Sequence, residues 1–197
     1  LSANKNYQKI CSQIKLFKPK IFIIADKKTF LKVKNKKING NTKILNSFDE
    51  LTFNLKKNDV TVSAIPGLAG LYPTIKIIKK SKKILLANKE SIICGWNIIK
   101  KISKKNNTIL IPIDSEHFSI KNLLINHKNN EIKKIYITAS GGPFLKLPLN
   151  KFKSIKPTEA VKHPKWSMGK KISVDSATLM NKILELIEAK KLFPFKL

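Results

Sequence analysis

The chain has 197 residues, 42% of them apolar, which suffices for one core or for one domain with part of another. Its formal net charge is +28, and every one of its 40 basic residues is Lys. No apolar run reaches transmembrane length, and the opening LSANKN lacks a signal-peptide pattern, so neither a membrane span nor an export signal is expected. In chain order, five short runs rich in β-branched residues read as strands: IFIIA (21–25), VTVSAI (60–65), ILLA (84–87), TILIPI (108–113) and IYIT (135–138). Between them LYPTIKIIKKS (71–81) and SIICGWNIIKKISKK (91–105) carry helical spacing. Alternating strands and helices of these lengths predict βαβ units and a largely parallel sheet. Beyond residue 114 turn residues thicken, at SGGP (140–143), KP (156–157), HP (163–164) and MG (168–169). A helical pattern then runs from Ser176 to Leu192. The change of texture predicts a domain boundary near 112–115.

The basic charge has two readings. Lys-rich chains bind nucleic acid through counterion release, but sequence readers rely on the bidentate fork of Arg, which is absent here. Lys, Ile and Asn are abundant together and run the whole length, as in the drift of an AT-rich genome. No specific nucleic-acid contact is expected, and a Lys-rich nucleic-acid module stands as the rival class. Cys11 and Cys94 fall in no metal spacing and read as two thiols in a reducing cytoplasm. The chain has no GxGxxG; Gly67 and Gly70, after a strand and before a helix, read as a tight βα turn.

Acids are scarce, 12 in all, yet Asp114 and Glu116 stand one residue apart after TILIPI. If the strand continues through them, they face one way and Ser115 the other. Two close carboxylates repel unless a proton or a cation lies between them. At the C-terminal end of a parallel strand they suit a divalent cation; alternatively they open a solvated loop and pair with Lys. In SATLMNKILELIEAKKLF (176–193), Leu179, Met180, Ile183, Leu184, Leu186 and Ile187 form an apolar stripe. Thr178, Asn181, Lys182 and Glu185 fall opposite, with Asp175 or Ser176 as N-cap. That face reads either as a phosphate seat or as an ordinary amphipathic helix with a Lys–Glu pair. Ser140 in SGGPF (140–144) and His163 and Trp166 in HPKWSMG (163–169) sit on turns able to hold an anion or close over a ligand, or serve as plain turn chemistry.

Taken together, LLANKES (85–91), PIDSEH (112–117), SGGPF and HPKWSMGKKISVDSATLMNK (163–182) resemble the 1-deoxy-D-xylulose 5-phosphate reductoisomerase family. The resemblance implies an α/β fold, with an incomplete Rossmann-like parallel sheet (1–113) that binds NADPH, followed by part of an α+β catalytic domain (114–197). It implies NADPH-dependent isomerisation and reduction of 1-deoxy-D-xylulose 5-phosphate, a sugar phosphate, to 2-C-methyl-D-erythritol 4-phosphate in isoprenoid precursor synthesis. Asp114, Glu116 and Glu185 would hold Mg2+, Mn2+ or Co2+. Lys89, Ser115, Ser140, His163, Trp166, Ser176, Asn181 and Lys182, with Glu116 and Glu185, would contact substrate. Lys89 would join the three acids in the catalytic set. Asn4, Lys5, Asn6, Asn88, Glu90 and Gly169 would face the cofactor. A cytoplasmic bacterial homodimer follows from the same resemblance. The chain departs from the family at Asn4, where Gly is usual, at Phe118 for Asn, at Ala139 for Gly and at Ile183 for Gly; Ile183 is expected to pack into the stripe. The family's Gly-rich phosphate loop and C-terminal helical region have no counterpart in the sequence, so a decayed homologue without turnover is the second reading.

Overall fold

The computed structural model describes residues 1–36, 40–51, 57–127 and 131–193. The chain divides into two compact units, 1–58 and 59–197. This division falls inside the segment expected as one nucleotide-binding domain.

The first unit contains β1 (Ser2–Ala3), α1 (Tyr7–Phe17), β2 (Ile21–Ile24), α2 (Lys27–Asn35) and β3 (Lys43–Leu45). Its sheet has the order β1-β2-β3, with both pairings parallel. Helix α1 starts where the Asn6 side chain accepts from Lys9 N at 3.0 Å, and α2 where Asp26 accepts from Thr29 N at 2.9 Å. Ile10 and Ile14, one turn apart on α1, meet Phe22 and Ile24, which share one face of β2, and Val33 of α2.

The second unit is built on β4 (Asn58–Ser63), α3 (Leu71–Ile78), β5 (Ser81–Leu86), α4 (Lys89–Lys105) and β6 (Ile109–Pro112). Helices α5 (Ser115–Leu124), α6 (Pro157–Ala160), α7 (Lys170–Ala177) and α8 (Met180–Leu192) follow. The strand order is β4-β5-β6, and β5 and β6 run parallel with Leu86 opposite Pro112. Ile78, Ile84, Leu86, Ile92 and Ile99 form the core under α3 and α4, and Ile120, Ala189 and Phe193 form a second cluster. The βαβ alternation and parallel pairing match the α/β class read from the strand runs.

Three local expectations are overturned. The first is the strand at 135–138, which forms no ladder with a described strand. Its alternation is real, since Ile135 and Ile137 pack on the second cluster while Tyr136 is exposed, but an extended segment without a partner is not a sheet. The second is the helix over 176–192, which is two helices. Thr178 N and its hydroxyl both return to Val174 O at 3.1 Å and end α7, and Leu179 takes a left-handed conformation with φ 60° before α8 starts. Neither Asp175 nor Ser176 therefore caps α8; both lie in α7. The third is the apolar stripe, which faces outward, with Leu179, Ile183 and Leu186 each 53% exposed, while Glu185 and Glu188 are 2% exposed. Ile183 does not pack, because α8 turns its charged side toward α4 and α5.

Removing buried volume from the second unit's core should be costly. Ile99→Ala, at a fully buried position, is expected to lower stability by about 2–5 kcal/mol in urea unfolding. Ile98→Ala, half exposed on the same helix, should stay within roughly 0.5 kcal/mol.

Candidate active site

The acids at 114 and 116 do not share a strand face. Strand β6 ends at Pro112, and Asp114, with φ −67° and ψ 156°, is the N-cap of α5, accepting from His117 N at 2.9 Å. An N-cap and the second helical residue point in different directions. The Asp114 carboxylate turns to the His117 ring, where both oxygens lie 2.7 Å from Nδ1. The Glu116 carboxylate turns to Lys182, which donates from Nζ to Oε1 at 2.5 Å, while the Ser115 hydroxyl donates to Oε2 at 2.5 Å.

Helix α8 contributes Asn181, Lys182 and Glu185 to the same place. Lys182 Nζ donates to Glu185 Oε2 at 2.5 Å as well as to Glu116, so one ammonium joins α5 to α8. Asn181 Nδ2 donates to Glu185 Oε1, and Lys89, from the first turn of α4, donates to Asn181 Oδ1 and to Glu185 Oε1 at 3.4 Å. Thr178 stays out of the cluster, its hydroxyl bonded to its own helix. Burial alone would raise the Glu116 carboxyl, but the bonds from Lys182 and Ser115 hold it below the usual carboxylate range. Burial alone would lower Lys182, and its bonds to Glu116 and Glu185 hold it above the usual lysine value.

Two further groups, His117 and Glu188, complete the site and were missed in the sequence. His117 is fully buried, and its Nε2 lies 2.9 Å from the Glu185 carbonyl oxygen, to which it donates. Glu188, 2% exposed, places Oε2 at 3.5 Å from His117 Nδ1, and that oxygen has no hydrogen-bond partner. One potential ligand atom from each of Asp114, His117 and Glu188 lies within 4.8 Å of the others. Burial lowers His117, but the Asp114 bond, the Glu188 charge and the Glu185 carbonyl together hold it above its ordinary value. The signals were present: His117 directly follows Glu116 in PIDSEH, and Glu188 lies one helical turn beyond Glu185. Anionic oxygens from two helices, with a buried carboxylate oxygen lacking a donor, are the donor chemistry a hard divalent cation takes.

A separate group of hydroxyl and imidazole donors comes from three segments. Ser140 Oγ lies 2.9 Å from His163 Nε2 and 3.2 Å from Ser176 Oγ. His163 Nδ1 accepts from the backbone N–H groups of Lys165 and Trp166, at 3.2 and 3.1 Å. With Nδ1 accepting, Nε2 is the nitrogen left to donate to Ser140. Gly142, with φ 64°, lets the SGGP turn reach α7: a Cβ there would lie 2.8 Å from Ala177 Cα and 2.9 Å from Ser176 O. Trp166 is 63% exposed and lines, with His163 and Met168, a recess of about 380 Å³.

The residues expected at the cofactor divide between the units. Asn4 and Lys5 follow β1, and Asn6 caps α1. In the second unit Asn88 is 2% exposed, and its side chain is fully engaged. Its Oδ1 accepts from Ser91 N at 2.6 Å and its Nδ2 donates to Ile65 O and to Gly67 O, the latter at 2.9 Å. Gly70 packs so tightly here that a Cβ would collide with Ile65 O and the Asn88 amide. Glu90 pairs with Lys171 at 3.2 Å, and Lys171 also pairs with Asp175 at 2.5 Å; Gly169 precedes α7.

Comparison with known proteins gives one family throughout. Residues 1–95 match the sequence model of 1-deoxy-D-xylulose 5-phosphate reductoisomerase, and residues 110–193 match that of its C-terminal domain. The reductoisomerase of Pelagibacter ubique is 55% identical over 98% of this chain and 50% of its own length; that of Clostridium novyi is 46% identical over 98% and 51%. The crystal structure of the Zymomonas mobilis enzyme with NADPH superposes at a TM-score of 0.85, with 36% identity, over 99% of this chain and 50% of that one. A DOX-P reductoisomerase in complex with NADPH, fosmidomycin and magnesium superposes at 0.80, with 37% identity, over all of this chain and 51% of that one. The chain thus spans about half the length of the relatives it matches. With both sequence models aligned in order along it and the fold shared, the chain belongs to the 1-deoxy-D-xylulose 5-phosphate reductoisomerase family.

Proposed function

We propose that this chain serves the NADPH-dependent isomerisation and reduction of 1-deoxy-D-xylulose 5-phosphate to 2-C-methyl-D-erythritol 4-phosphate, a step of isoprenoid precursor synthesis in a bacterial cytoplasm. Residues 1–113 would bind NADPH and residues 114–197 would carry the chemistry, within a homodimer. One observation supports this most: Lys89 of α4, Glu116 of α5 and Asn181, Lys182 and Glu185 of α8, three separate elements, meet in one hydrogen-bonded cluster in a chain 55% identical to a reductoisomerase. Among the described residues no helix is long and apolar enough to cross a membrane.

A divalent cation would be held by Asp114, Glu116 and Glu185, whose carboxylate oxygens are the donors such an ion takes. Bound magnesium, manganese or cobalt would supply Lewis acidity toward the substrate's oxygens, and bound NADPH would supply hydride. The chain's own residues do the rest. Lys89 and Lys182 balance the acids and offer N–H donors to substrate oxygens. Ser115 lies beside Glu116 and adds a hydroxyl to the same contacts. Ser140, His163, Ser176 and Asn181 hold the phosphate and backbone, with His163 presenting its Nε2–H. A phosphate anchored there orients the reacting carbons. Trp166 lies on the segment that covers the substrate and keeps water away. Asn4, Lys5, Asn6, Glu90 and Gly169 face the cofactor, and Asn88 shapes the turn beside it.

Mixing the chain with 1-deoxy-D-xylulose 5-phosphate, NADPH and Mg2+ tests this directly. The expected result is substrate-dependent loss of NADPH absorbance with formation of 2-C-methyl-D-erythritol 4-phosphate. Binding of metal and substrate without NADPH oxidation would instead support a homologue that keeps the ligands and has lost turnover. In a Mn2+ titration, Glu185→Ala should weaken binding by at least about 100-fold, more than loss of an outer partner typically does.

The buried acids also set a pH dependence. Burial pushes the Glu188 carboxyl up to about 8 from 4.5, partly opposed by the His117 charge and helped by Asp114. The folded chain therefore holds this proton where the unfolded chain has released it. Stability from this group is full below 4.5 and is lost as pH rises toward 8. His117, raised from 6.5, acts in the same direction, while the depressed Glu116 costs stability only when pH falls below 4.5. In thermal melts of chelator-treated protein, Tm should fall by several degrees from mildly acid to mildly alkaline pH. Glu188→Gln, which keeps the shape but cannot titrate, should flatten that slope.

A further inference from the structure

We propose that His117 is a positioning residue that sets the metal ligands of α5 and α8 in register. The inference rests on the reading that Asp114, Glu116 and Glu185 hold the cation. Nδ1 engages the Asp114 carboxylate at 2.7 Å, and Nε2 donates to the main-chain carbonyl of Glu185 at 2.9 Å. One ring thus spans from the N-cap of α5 to the backbone of α8 at the residue that supplies the helix ligand. The ring is fully buried and lies against Phe193 at 6.3 Å between centroids, 15° from parallel. Glu188 closes the remaining side at 3.5 Å. Neither nitrogen is open to substrate, so His117 acts through Asp114 and Glu185 and not on the reacting atoms.

The physical consequence is preorganisation. Asp114 already caps α5 with one oxygen, so its side chain has little freedom; the bond to Nδ1 fixes the rest of its rotation. The bond from Nε2 to a carbonyl within α8 then fixes how far Glu185 stands from that carboxylate. Lys182 joins the same two helices through Glu116 and Glu185, whereas Asp114 faces α8 through the His117 ring, with Glu188 beside it. Outer partners that orient ligands in this way typically change metal affinity by about 10–100-fold.

Mn2+ titration of the 197-residue chain, followed by electron paramagnetic resonance, tests the proposal, with circular dichroism recording the melting of each variant. His117→Phe fills the space without either nitrogen and should bind Mn2+ about 10–100-fold more weakly than wild type. His117→Asn can keep the bond to Asp114, and His117→Gln the bond to the Glu185 carbonyl, so each should fall between wild type and His117→Phe. Wild-type affinity in a folded His117→Phe, even with a lowered Tm, overturns the proposal, because a merely structural ring would do no more. If His117→Phe does not fold, the two amide variants decide: weaker binding in either supports positioning, and wild-type affinity in both overturns it. Glu185→Ala is run alongside. Unchanged affinity in that variant defeats the ligand assignment itself, whereas loss there beside a normal His117→Phe defeats only the role of His117.

Discussion

A helix that buries carboxylates must give each of them a partner, and α8 is organised by that requirement. Glu185 and Glu188 are almost wholly buried, where an unpaired charge is far more costly than at the surface. Glu185 is met by Lys89, Asn181 and Lys182, and Glu188 faces the His117 ring at 3.5 Å, its burial pushing the carboxyl up to about 8. These partners come from α4, α5 and α8 itself, so the charge requirement is also what draws the elements together. Met180, Ile183, Leu186 and Ile187 of α8 are left facing outward, while Ala189 and Leu192 at its C-terminal end pack inward.

Much of this fold is visible in the residues. Runs such as IFII and ILLA are β-branched, of strand length, and fall between helical spacings, and four of the five became strands. The fifth, IYIT, shows the limit of that signal: alternation specifies an extended chain with one face covered, but a ladder also needs a neighbour. Strands as short as β1 carry too few residues for any period to show. The orientation of α8 is not legible in its apolar stripe, because the stripe marks one face without saying which side is covered. In a chain this rich in Lys the polar face can be the buried one, and no hydrophobic period reports it.

The site was legible in part. Glu116, Glu185 and Lys182, marked by spacing and family likeness, meet in one hydrogen-bonded network, whereas Asp114 turns to His117. That arrangement was not legible, because Asp114 reads as the end of a strand. Asp followed by Ser-Glu-His is equally the start of a helix, and the cap bond to His117 N makes it so. Once Asp114 is an N-cap, the residue three positions on comes within reach, which is why His117 belongs to the site. Glu188 was overlooked for a different reason: its partner lies on α5, and helical spacing relates a residue only to its own helix.

The left-handed residue at Leu179 has a consequence for how one short run serves two purposes. Ser176 and Glu185 are nine positions apart, and on an unbroken helix nine steps of about 100° would set them on opposite sides of the axis. A straight rod could turn its hydroxyl or its carboxylate toward a common ligand, never both. Breaking the rod at Leu179 removes that geometric exclusion, at a conformational cost of roughly 1–2 kcal/mol for a side chain in this backbone region. The Ser176 hydroxyl and the Glu185 carboxylate can then be aimed independently, although they are coded almost side by side.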